Sequence, residues 1–69
     1  MNVHSVKNLW HGTYLVTYSR RGWRHRHKAC FRRIDGVWFS GVENPTGVYS
    51  APLRQAHPAI AAALNAAAN

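Results

Sequence analysis

The chain has 69 residues, nine Lys and Arg against two acidic side chains, and a formal net charge of +7 with histidine neutral. That length leaves room for one small domain (1–69), and the charge points to polyanionic partners, nucleic acid first and an acidic protein surface second. Hydrophobic residues make up 46% and include three Trp, three Tyr and two Phe, enough aromatic area for a core without metal or disulfide.

The single Cys30 excludes an internal disulfide and offers no zinc-ribbon spacing. Met1 to Lys7 lack an apolar leader core, and the Ala-rich run Ala59 to Ala68 is too short to span a bilayer. The expectation is a cytoplasmic protein without membrane contact.

Residues 1 to 11 show only a hint of alternation around Val3 and Val6, so they read as a loose arm or an edge strand. Residues 12 to 49 read as a β-meander. In its first strand Tyr14, Val16 and Tyr18 share one face and Thr13, Leu15, Thr17 and Ser19 the other. Gly22 suits positive φ, so Arg21-Gly22 is expected as a two-residue hairpin loop. That register sets Tyr18 opposite His25, Val16 opposite His27 and Tyr14 opposite Ala29.

The second strand is expected to run from Trp23 to Ile34. Its odd positions, Trp23, His25, His27, Ala29, Phe31 and Arg33, are mostly aromatic or imidazole; its even positions, Arg24, Arg26, Lys28, Cys30 and Arg32, are mostly cationic. Asp35-Gly36 is a type I′ signal, and a third strand follows over Val37 to Val42. Trp38, Ser40 and Val42 then join Phe31 and Ala29, while Val37 and Phe39 lie beside Ile34 and Arg32. Glu43 to Gly47 read as a turn and Val48-Tyr49 as a short fourth strand.

A C-terminal helix is expected over 51 to 67, with Ser50 as cap and His57-Pro58 marking a kink or a new start. Leu53, His57, Ile60, Leu64 and Ala67 form its apolar stripe, which packs on the aromatic sheet face. The fold class is α+β: a three- to four-stranded antiparallel meander, flat or curled toward a barrel, with one helix on it. In layout this is similar to the sheet-then-helix part of double-stranded-RNA-binding domains and of small ribonuclease toxins. Residues 1 to 11 supply no first helix, and the last helix has no basic motif at its start.

Arg20, Arg21, Arg24, Arg26, Lys28, Arg32 and Arg33 carry the main functional signal, seven of the nine Lys and Arg within positions 20 to 33. Cations two apart on a strand sit roughly 6.6 Å from one another, comparable to phosphate spacing. Guanidinium groups also bind phosphate in bidentate fashion. Trp10, Trp23 and Tyr18 are candidate stacking or interface residues if exposed. The bland reading of the same cations is a solvated face, which self-repulsion without an anionic partner makes costly.

His25 and His27 are weak metal candidates, because a third ligand is missing and carboxylates are scarce. They also allow a low-ranked reading as general acid and base of a small ribonuclease, with Arg24 or Arg26 holding phosphate. The favoured expectation is a non-enzymatic basic protein, without cofactor, that docks on RNA or DNA through the cationic hairpin 20–33. The alternative is a phage- or mobile-element-type protein that binds an acidic surface of a host complex, such as transcription machinery or a nuclease.

Overall fold

The structure, a computed structural model, describes residues 1–10, 12–41 and 53–68. Strands β1 (Asn2–Trp10), β2 (Thr13–Ser19), β3 (His27–Ile34), β4 (Val37–Ser40) and β5 (Arg54–Gln55) form one antiparallel sheet in chain order. Helix α1 (Pro58–Ala68) packs on one face of it. This is the expected α+β meander with a C-terminal helix, and the sheet stays open. The opposite face carries no helix among the described residues.

Residues 2 to 10 form a nine-residue edge strand. Val3 lies opposite Tyr18 and Val6 opposite Val16, with a register shift between Val3 and Ser5. His4 is thus the extra residue of a bulge, and the bulge lets two valines three positions apart face the same core. That interruption of period two is why simple alternation announces the strand so faintly. His4 Nε2 and Ser19 Oγ are hydrogen-bonded across the two strands at 2.7 Å.

The β2–β3 register departs from expectation. Tyr18 pairs with His27, Val16 with Ala29 and Tyr14 with Phe31, two residues beyond the pairing that a two-residue loop would impose. Because the slip is even, the aromatic faces of both strands still coincide. Arg20 to Arg26 become a seven-residue loop between β2 and β3. Trp23, Arg24, His25 and Arg26 are therefore not strand residues.

The turn geometry agrees with this register. Trp23 N donates to Arg20 O at 3.0 Å, and positive φ falls on Gly22 (89°) and not on Arg21. Positive φ at the second central residue alone is the pattern of a type II turn, whose twist splays flanking strands. A two-residue hairpin needs positive φ at its first central residue, which Arg21, with a Cβ, disfavours. Asp35 (φ 51°) and Gly36 (φ 80°) do form the expected I′ turn, and Ile34 pairs directly with Val37.

Val16, Phe31, Trp38, Ile60 and Leu64 are buried and make up the core, with Val3, Val6, Tyr14, Tyr18 and Ala29 packed around them. Each such side chain contributes about 1.5–3 kcal/mol through removal from water. Tyr14 meets the Trp38 ring edge-on at 5.5 Å, and Trp38 Nε1 donates to Asn65 Oδ1 at 2.7 Å. The second bond satisfies the only polar atom of a buried indole.

The helix begins at Pro58, not at 51, because Arg54–Gln55 form a strand paired with Phe39 and Ser40. His57 is its N-cap: its carbonyl accepts from Ala61 N at 2.9 Å and its Nδ1 accepts from Ala59 N at 3.0 Å. With no acidic residue in the first turn and no basic one in the last, α1 gains nothing from dipole pairing. Eleven residues are marginal as an isolated helix, so burial of Ile60 and Leu64 holds it. The predicted stripe is corrected at its other members: Leu53 precedes β5 and is exposed, and His57 and Ala67 are exposed. The expected Glu43–Gly47 turn, the Val48-Tyr49 strand and the Ser50 cap lie outside the described residues.

Candidate nucleic-acid interface

All nine Lys and Arg side chains are exposed. They do not share one sheet face. Arg20, Arg21, Arg24 and Arg26 sit on the β2–β3 loop, Lys28 and Arg32 on the open face of β3, and Arg33 on the helix side. The Arg33 guanidinium lies 5.2 Å over the Trp38 ring and so packs at the rim of the core. The expected cationic strand face thus resolves into a cationic end of the molecule and a sparser open face.

The loop is fastened to the sheet by aromatic contacts. Trp23 lies 4.2 Å from His27 and 5.9 Å from Tyr18, centroid to centroid, and Tyr18 and His27 form the last β2–β3 pair. The Arg20 guanidinium lies 5.8 Å from the Trp23 ring. Trp23 remains 40% exposed, so it is both anchored and available. Four arginines in seven residues, with no carboxylate in the loop, give this end a strong positive potential.

On the open face, direct partners place Trp10, Thr13, Arg32 and Phe39 in one row across four strands. Next to it, Lys7, Leu15 and Cys30 make a second row, and Lys28 stands beside Thr17 in a third. Trp10 is 57% exposed, and Ile34 and Val37 are exposed at the same end of the sheet. Trp38, by contrast, is core.

At the loop end, on the helix side, a cleft of about 440 Å³ opens between Trp23, Tyr18 and Phe31 on one side and Arg54, Ala56, His57 and Ile60 on the other. Arg20, Met1, Ser40 and Gln55 complete its wall. Ser40 Oγ donates to the Arg54 carbonyl at 3.4 Å, which ties β5 to β4 beside the opening. Because His57 Nδ1 accepts from the helix backbone, its ring proton is on Nε2.

His25 lies in the loop and His27 opens β3, so strand pairing does not hold them side by side as a ligand pair. Among the described residues no group of three His, Cys, Asp or Glu is placed to hold a metal ion, and no helix is long and apolar enough to cross a membrane. Arg54, Ser40 and His57 were not among the site residues expected from sequence. Ser40 and Arg54 reach the cleft through the β4–β5 pairing, a long-range contact that no local pattern announces, and His57 reaches it from the start of α1.

The chain matches no family model, no curated protein and no solved structure. What can be said of its activity therefore rests on this geometry.

Proposed function

We propose that the protein is a non-enzymatic binder of nucleic acid that engages the phosphate backbone with the Arg20–Arg26 loop and the neighbouring Lys28. One observation carries the reading. Arg20, Arg21, Arg24 and Arg26 are all solvent-exposed on a loop whose base is pinned by the Trp23–His27–Tyr18 contacts. Pinning reduces the entropy lost when the arginines settle on phosphates. Guanidinium groups are also the side chains best matched to phosphate oxygens.

The exposed indole of Trp23 adds a platform for an unpaired base, so single strands are favoured over duplexes. The test is fluorescence anisotropy with labelled single-stranded RNA, duplex RNA and duplex DNA across a salt series. Five phosphate contacts on a single strand predict a log–log slope near about −3.5. Micromolar binding with that slope, lost in an Arg24→Glu/Arg26→Glu variant of unchanged melting temperature, supports the reading. Equal, vanishing affinity for all three ligands at physiological salt rejects it.

A second reading has its own observation. Trp10, Ile34 and Val37 are exposed on the open sheet face, bordered by Arg32 and Lys7. Apolar side chains rimmed by cations suit an acidic surface of another protein, such as a host complex. Such an interface weakens far less steeply with salt and is lost with Trp10→Ala instead of the loop variant.

A further inference from the structure

We infer that the cleft beside the loop is a seat for one unpaired nucleobase of a single strand, with the adjoining phosphate on Arg20 and Arg54. This rests on the nucleic-acid reading and specifies what that site takes. The cleft, about 440 Å³, lies within the range of small-ligand sites, roughly 300–1,000 Å³, and has room for a base and its sugar. Its chemistry is two-sided. Phe31 and Ile60, both buried core residues, form the deep apolar part, and Tyr18 and Trp23 form an aromatic wall. Arg20 and Arg54 stand at the same opening, and no carboxylate is among the described lining residues.

Each simpler ligand leaves half of that lining unused. A bare phosphate would leave the aromatic wall in water, and a purely apolar guest would not engage the two guanidinium groups. A nucleotide engages both, its base against the Trp23–Tyr18 wall and its phosphate on the arginines. His57 lines the cleft with its ring proton on Nε2 and supplies a hydrogen-bond donor that a base carbonyl accepts. A base within a duplex is already stacked and paired, and withdrawing it costs free energy, so the cleft selects unpaired strands. Arg21, Arg24 and Arg26 continue from Arg20 along the loop and meet the flanking phosphates.

Arg54 makes the inference separable, because it lies outside the 20–33 hairpin and serves only a strand seated in the cleft. Anisotropy is measured with ten-residue oligothymidine, with an abasic strand of equal phosphate count, and with thymidine monophosphate as competitor. The base-bearing strand is expected to bind about tenfold more tightly than the abasic one, the order of a single stacking contact. Arg54→Gln should remove most of that advantage and leave abasic affinity and melting temperature unchanged. Equal affinities for the two strands, with Arg54→Gln like wild type, would overturn the cleft and leave the loop reading intact. Binding of neither strand would overturn both. Thymidine monophosphate binding as tightly as the oligonucleotide would make a free nucleotide the occupant and overturn the strand.

Discussion

The two hairpin connections flanking β3 are built on opposite principles. Asp35-Gly36 puts both central residues at positive φ, 51° and 80°, and brings Ile34 and Val37 into register at once. Arg21-Gly22 places positive φ only on Gly22 and leaves Trp23 to Arg26 outside the ladder. Asp tolerates the left-handed region because its short polar side chain can bond locally, whereas Arg gains nothing there. The tight turn stabilises the sheet; the long one presents four cations that strand pairing would have crowded.

The sharpest contrast is between side chains at the two ends. Leu64 is fully buried over the sheet, and Leu64→Ala should cost about 3 kcal/mol or more, read as a lowered denaturation midpoint. Trp23→Ala, at the loop, should cost about 1 kcal/mol or less, the scale of an aromatic contact between partly exposed rings. Comparable losses at both sites would mean that the loop end is part of the folding core.

The glycines give the next contrast. A Cβ at Gly22 or Gly36 would meet no atom within 4 Å, so substitution costs backbone strain alone. Gly36→Ala should destabilise by about 1–2 kcal/mol, because register pairs on both sides prevent relaxation. Gly22→Ala should cost less, since the six other loop residues can absorb the change. Thermal melts of the two variants decide the order, and a larger loss at Gly22 would show the long loop to be the more rigid.

Much of the fold was legible because it is periodic. Tyr14, Val16 and Tyr18 alternate cleanly, Asp35-Gly36 is a strong turn dipeptide, and Trp38 and Ile60 are core as their patterns imply. What stayed hidden has physical reasons. The bulge at His4 breaks the alternation of β1, and β5 has only two residues, too few for any period. The cations were legible as a set but not as a surface, because their display depends on where the ladder starts. That starting point depends on which register buries Phe31, a long-range condition with no local sign. Arg54 and the cleft had no local signature at all.

Charge reversal separates display from stability. Replacing Arg21, Arg24 and Arg26 with Glu should change the denaturation midpoint by no more than about 0.5 kcal/mol, as for exposed sites outside packed contacts. A slight gain is the expected sign, since like charges in the loop repel. A large loss would mean that these arginines are structural.

The smallest effect tests what holds the register. Arg21→Asn creates Asn-Gly, the strongest two-residue hairpin signal, and removes the obstacle to positive φ at the first turn position. If the turn governed the pairing, Tyr18 would move opposite His25 and Trp23 to Arg26 would join β3. That slip would also carry Ala29 opposite Tyr14 and pull Phe31 from its place in the core. Uncovering Phe31 costs about 2 kcal/mol or more, against a few tenths gained at a turn. The long loop should therefore persist, with stability changed by a few tenths of a kcal/mol. Nuclear Overhauser contacts between Tyr18 and His27 should be retained. Their replacement by Tyr18–His25 contacts would show that the turn, and not Phe31, sets how the cations are displayed.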